Sequence, residues 1–199
     1  MHEMDEKWIA RAQTGDPDAF TQIVEFYQRP VFNLCYRMLG DPAEAEDAAQ
    51  ETFIRVYQNI RRYDDKRSFT TWLLSIAAHY CIDQIRKQRM SLISIDETSF
   101  PELSADIPGP EAAMSRSEEQ AQVRALLSSL HPVDRAAIIM YYWHDLSYEE
   151  ISEALKLTGS AVKSRLHRAR REMAQNWSSQ NQQVKPRERS PHGEHSPAF

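Results

Sequence analysis

The 199-residue sequence predicts an all-α protein made of two small helical domains. Apolar residues recur at i, i+3, i+4 spacing through two long blocks, as buried helix faces require. Asp-Pro and His-Pro pairs stand at the head of several of these stripes, where a cap followed by proline starts a helix. Glycine is scarce, with 5 in the chain, and the long segments lack the β-branched alternation of strands.

The first block, residues 1–90, shows its pattern from about residue 5. Asp16-Pro17 opens a helix carrying Phe20, Ile23, Val24 and Tyr27. Pro30 is expected to interrupt it, because proline lacks the N–H that a helix interior needs. Val31, Leu34, Cys35, Met38 and Leu39 resume the period, and Gly40 ends it. Asp41-Pro42 starts a helix reaching about Ile60, with Ala49, Phe53, Val56, Tyr57 and Ile60 as its core stripe. Ser68 can cap a further helix, whose buried face is Trp72, Leu73, Ile76, Ala77 and Tyr80 before a basic end at 86–89.

Residues 91–117 break the period. They hold Pro101, Pro108, Gly109 and Pro110, and the anions Asp96, Glu97, Glu102, Asp106 and Glu111 against the single cation Arg116. This reads as an extended acidic connector, with a passive tether as the plain alternative. The second block, 118–177, opens with a stripe of Val123, Leu126, Leu127 and Leu130. His131-Pro132 then starts a helix with Val133, Ala136, Ile139, Met140 and Trp143. Residues 178–199 have almost no large apolar side chains, and disorder is expected there.

Composition narrows the function. With 41% hydrophobic and 27% charged residues the chain is an ordinary water-soluble one. No apolar run approaches the roughly 18 residues that span a bilayer, and the N-terminus lacks the apolar stretch of a signal peptide. A cytoplasmic location without membrane insertion is expected. Cys35 and Cys81 fall inside apolar stripes, as small buried hydrophobes do in a reducing compartment. Neither zinc-ligand spacing nor a nucleophile–base arrangement occurs, so no metal, cofactor or catalytic centre is expected.

The most informative segment is Leu146 to Met173. Ser147 followed by Glu150 is a capping-box signature. Ile151, Ala154 and Leu155 share one face of the helix it opens, and Lys156-Leu157 makes a break. Thr158 suits the N-cap of a second helix, with Val162, Leu166 and Ala169 inward. Lys163, Arg165, Arg168, Arg170 and Arg171 lie outside that stripe, five cations against the single anion Glu172 on a chain of net charge −5. A cationic second helix in a helix-turn-helix suits DNA phosphate. An Arg-rich helix is also a common solvated face with i,i+4 pairs.

Residues 35–60, 68–89 and 146–173, read together and in this order, resemble an extracytoplasmic-function (ECF) sigma factor, closest to the W-type of Bacillus-like bacteria. The resemblance implies region 2 in the first block and region 4 in the last. It implies a dissociable subunit that brings bacterial core RNA polymerase to promoter DNA, reads the −35 and −10 elements and helps melt the latter. A cognate anti-sigma factor, often membrane-anchored, is implied too. The linker would thread the polymerase, its acidity suited to a cationic channel that RNA later enters. A dimeric helix-turn-helix regulator would leave the first block unexplained; a protein-binding helical adaptor would leave the cationic helix as mere surface.

The resemblance also places roles on residues. Asp47, Gln50, Glu51 and Arg55 take the positions that dock on a polymerase coiled coil, with Phe53 in the core. Taken alone, the acidic stretch 41–51 reads as a helix first turn favoured by the helix dipole. His79, Tyr80, Arg86, Lys87 and Arg89 take the −10 positions, on a helix pair within 68–89. Ala78, His79 and Tyr80 correspond to a base-capturing loop, although the apolar period runs helically through them. Lys163, Ser164, Arg165, His167 and Arg168 take the −35 positions.

Overall fold

A computed structural model describes residues 2–94 and 111–183, and every regular element among them is helical. They are α1 (His2–Gln13), α2 (Pro17–Leu39), α3 (Pro42–Asn59), a 3-10 turn (Ile60–Arg62), α4 (Phe69–Ser94), α5 (Glu111–Ser129), α6 (Pro132–Trp143), α7 (Tyr148–Leu155) and α8 (Gly159–Gln183). The expected acidic connector and tail fall largely outside the described residues. At their inner margins helix replaces them: α4 runs to Ser94, α5 begins at Glu111, and α8 continues through 178–183.

The helix starts are local and behave as expected. The Asp16 carboxylate accepts from the backbone N–H groups of Asp18 and Ala19 at 3.0 and 3.2 Å, with Pro17 in the first turn. Asp41 accepts from the Glu44 N–H at 2.9 Å. Gly40 ends α2 at φ 88°, a left-handed conformation that glycine adopts without penalty.

Pro30 does not interrupt α2, which is one helix of 23 residues. Tyr27, Val31 and Leu34 on the flanking turns are buried, and that burial outweighs one lost backbone hydrogen bond. Tyr57 is not core but 58% exposed. The buried stripe of α3 is Ala45, Ala48, Ala49, Thr52 and Val56, whose small residues let α2 and α3 approach closely. Thr52 is tolerated there because its hydroxyl donates to the Ala48 carbonyl at 2.7 Å. Trp143 also leaves the core, with the Arg37 guanidinium 5.0 Å from its ring centre.

α1 to α4 form one bundle, in which α2 packs on α1, α3 and α4. α6, α7 and α8 form a second, with α5 against α8. The two bundles touch: α6 and α7 pack on α4, and α6 and α5 on α2. The Thr71 hydroxyl donates to Glu150 at 3.1 Å, Arg67 pairs with Glu153 at 2.8 Å, and Arg124 lies 5.6 Å from the Tyr36 ring centre. Arg135, buried on α6, donates to the Met38 carbonyl at the end of α2 and to the Ser128 carbonyl at 2.6 Å. Cys35 on α2 and Cys81 on α4 are buried and free.

Candidate nucleic-acid and polymerase interface

Region 146–173 forms the helix-turn-helix its capping pattern predicts. The Ser147 hydroxyl accepts from the Glu150 N–H at 3.1 Å, and the Glu150 carboxylate accepts from the Ser147 N–H at 2.9 Å. Burial works against charge on Glu150, but its bonds to Ser147 and Thr71 prevail and hold its carboxyl below the usual range. Lys156 turns the chain in the left-handed region at φ 52°, and Thr158 caps α8 by accepting from the Ala161 N–H at 3.2 Å. Val162, Leu166 and Ala169 are fully buried. The opposite face of α8 is therefore exposed, and it carries Lys163, Ser164, His167, Arg168 and Arg171.

The five −35 positions do not share one environment. Lys163, Ser164 and His167 stand open, with the Ser164 hydroxyl donating to the Ser160 carbonyl at 2.9 Å. Arg165 is half-buried and donates to Asp134 on α6 at 2.6 Å. Arg168 grips the same carboxylate through Nε and Nη2, at 3.0 and 2.9 Å to Oδ2, while its side chain stays 57% exposed. Asp134 carries no sequence signal of its own: it sits in the first turn of α6, where an acid reads as ordinary dipole complement. Arg170 turns away from this face onto Tyr141 and Tyr142, donating to the Tyr142 hydroxyl at 2.9 Å.

On α4 the expected helix pair is one continuous helix, and Ala78–Tyr80 form no loop. The apolar period explains this: Leu73, Leu74, Ala77, Ala78, Cys81 and Ile82 are all buried, so the register holds straight through. Ala78 has no surface to offer. His79 lines an open cleft of about 710 Å³ between the two bundles, together with Trp72, Arg55, Arg62, Arg67 and Lys156. Its Nδ1 is 2.8 Å from the Ser75 carbonyl. Tyr80 carries the Arg55 guanidinium 4.9 Å from its ring centre. Arg86, Lys87 and Arg89 are exposed about two turns further on, roughly 10 Å along the axis, with Arg86 3.8 Å from Asp83. Arg62, Arg67 and Lys156 had no motif to single them out; the turn after α3, the loop before α4 and the meeting of α4 with α7 gather them in the cleft with His79.

On α3, Asp47 and Gln50 lie on the solvent face, with Glu51 half-exposed beside them. Arg55 turns instead toward α4, bonded to Glu51 at 2.8 Å and stacked on Tyr80. Phe53 is partly buried against the core, as expected. The same outer face bears Ile54 at 51% and Tyr57 at 58% exposure. An acidic row beside the exposed Ile54 and Tyr57, the latter's ring edge-on to Phe20 at 4.9 Å, is a surface suited to a cationic, partly apolar partner. Among the described residues there is no group of three or more His, Cys, Asp or Glu able to hold a metal, and no helix long and apolar enough to cross a membrane.

Comparison with known proteins agrees with this architecture. Residues 23–90 match Sigma-70 region 2, and residues 120–173 match Sigma-70, region 4. The ECF RNA polymerase sigma factor SigW of Bacillus subtilis is 39% identical over 177 residues, covering 85% of this chain and 95% of that protein. The RNA polymerase sigma-H factor of Pseudomonas aeruginosa is 33% identical over 175 residues, covering 84% and 91%. In fold, the chain is similar to CnrH solved in complex with the cytosolic domain of CnrY, with TM-score 0.67, 21% identity and coverage of 89% and 99%. It is also similar to the sigma factor RpoE solved with the anti-sigma factor NepR from Bartonella quintana, with TM-score 0.61, 19% identity and coverage of 80% and 96%. Two sigma domains in order, a capped helix-turn-helix with a cationic outer face, and relatives matched along most of their length lead to one conclusion: the chain belongs to the extracytoplasmic-function sigma factors, the subunits that direct bacterial RNA polymerase to promoters.

Proposed function

We propose that residues 118–177 read the −35 duplex through the open face of α8, that residues 1–90 take the unpaired −10 strand along α4, and that the outer face of α3 docks on core polymerase. The observation that carries this is the exposed row Lys163, Ser164, His167 and Arg171 on the second helix of a capped helix-turn-helix. Such a helix enters the major groove, where cations on its flanks meet phosphates. On α4, His79 and Trp72 lie with Arg55, Arg62 and Arg67 of the same bundle, a combination that suits a backbone threaded past stacked or pocketed bases. Asp47, Gln50, Glu51, Ile54 and Tyr57 form the docking face, and Arg55 holds Glu51 in place. The protein supplies recognition and strand capture, with the chemistry left to the polymerase. A cognate anti-sigma factor is a further partner, in keeping with the complex with the anti-sigma factor NepR in which RpoE was solved.

The two DNA readings are not made together in this arrangement. By their numbering the −35 and −10 positions lie about 25 base pairs apart, roughly 85 Å of duplex at about 3.4 Å per base pair. Here α7 touches α4 directly through Thr71–Glu150 and Arg67–Glu153. Simultaneous engagement requires the two bundles to part. Run-off transcription with core polymerase over a genomic promoter library tests the function. Promoter-specific transcripts with a shared −35 and −10 motif are expected; transcripts no different from core polymerase alone refute it.

A further inference from the structure

We infer that Asp134 is a specificity-determining positioning residue, which anchors Arg168 so that one edge of its guanidinium is held ready for a single base. This rests on the proposal that α8 reads the −35 element. Asp134 is 2% exposed, in the first turn of α6, where the positive end of the helix dipole favours its charge. Its Oδ2 accepts from Arg168 Nε at 3.0 Å and Nη2 at 2.9 Å, and its Oδ1 from Arg165 Nη1 at 2.6 Å and Arg168 Nη2 at 3.3 Å. A guanidinium is a planar fork of five donors. The carboxylate occupies the Nε–Nη2 edge of Arg168 and leaves the Nη1–Nη2 edge for an outside acceptor. Two parallel donors on that edge match the O6 and N7 acceptors of guanine.

The arrangement does three things at once. It fixes a long side chain on the recognition helix, so less rotamer freedom is lost when DNA binds. It shares one buried anion between two cations, leaving a single net positive charge at the pair, which restrains indiscriminate phosphate binding. It also separates roles along α8: Lys163 remains an unanchored point charge, while Arg165 stays half-buried as the second strut on the carboxylate. A buried ion pair that merely joins α6 to α8 is the competing account, and such pairs can be close to neutral for stability.

The test uses the full chain assembled with core polymerase, on one promoter taken from its run-off transcripts and on duplexes with each −35 position substituted. Asp134→Asn keeps the shape and removes the charge; Asp134→Ala removes the acceptors too. Both are expected to lose about tenfold in discrimination at one −35 guanine, with binding to unrelated duplex held or raised. The slope of log affinity against log salt should steepen by about 0.9 in Asp134→Ala, as one more cation reaches a phosphate. Arg168→Lys keeps the charge without the fork and should lose discrimination at the same base. Combined with Asp134→Asn it should lose no more, as expected of coupled residues. If Asp134→Ala fails to fold, Asp134→Asn and Arg168→Lys decide the matter. Unchanged base preference in both, or equal loss of specific and non-specific binding alongside a lower melting temperature, overturns the assignment in favour of a simple strut. A parent holoenzyme with no −35 preference at all would instead remove the underlying reading of α8.

Discussion

Arg135 offers the sharpest test of how the two bundles are joined. It is 5% exposed and spends its charge on two backbone carbonyls, Met38 at the end of α2 and Ser128 at the end of α5. Met38 lies in the last turn of α2, where carbonyls have no partner within the helix and where a cation complements the dipole. Burial, and secondarily the charge of Arg89, push the Arg135 pKa down to about 10 from 12.5. That shift corresponds to roughly 3 kcal/mol of cost for carrying the charge inside. Two charge-assisted hydrogen bonds contribute about 3–6 kcal/mol. The polar terms thus leave about 0–3 kcal/mol in favour of folding, and the methylene stem adds about 2 kcal/mol of burial.

Arg135→Ala loses the bonds and the stem but escapes the charge cost, for a net loss of about 2–5 kcal/mol. Arg135→Met keeps an apolar stem and should lie about 2 kcal/mol above the alanine variant. Urea unfolding followed by circular dichroism measures both. If Arg135→Ala unfolds within 0.5 kcal/mol of the parent, the buried fork between α2, α5 and α6 does not join them. Arg135→Lys is informative as well, since it keeps the buried charge without the planar fork and should be less stable than the parent.

His144 makes stability pH-dependent. Burial, aided by the Arg37 charge and opposed by Asp145, lowers its pKa from 6.5 to about 4, so the unfolded chain binds a proton first as pH falls. Its contribution is complete above pH 6.5 and is lost as pH falls towards 4, about 2 kcal/mol of it by pH 5; His144→Gln should flatten the stability difference between pH 7 and pH 5, and an unaltered difference would refute the assignment. Glu51→Lys should weaken core-polymerase binding at least tenfold by fluorescence titration while leaving the melting temperature within a few degrees, because Glu51 is half-exposed and its partner Arg55 is 43% exposed; parent-like affinity would remove α3 as the docking face. Lys163→Ala should weaken binding to every −35 duplex by a similar factor and lower the salt slope by about 0.9, as loss of one phosphate contact does; a change confined to one base would assign Lys163 to readout instead.

Features that depend on neighbours in the chain were legible without coordinates. The caps at Asp16, Asp41, Ser147 and Thr158 close hydrogen bonds within three residues, so residue type and spacing determine them. The inward row Val162, Leu166 and Ala169 follows from helical period alone, and with it the exposure of Lys163 and His167. The all-α class and the two helical blocks rest on the same local signals repeated along the chain, whereas the two sigma regions come from the resemblance of residues 35–60, 68–89 and 146–173. What tertiary structure decided depends on groups far apart in sequence. Pro30 stays inside a helix because burial on both sides outweighs its missing donor. Tyr57 and Trp143 are pushed outward because the alanines of α3 and the residues of α6 fill the space first. Asp134 and Arg135 are adjacent acid and base with no pattern to distinguish them from a surface pair. One holds two arginines more than 30 positions away and the other a carbonyl 97 positions away. A local pattern reports only on which face of its own helix a residue lies. Burial of charge, and the partner that makes it tolerable, is set by which helices meet.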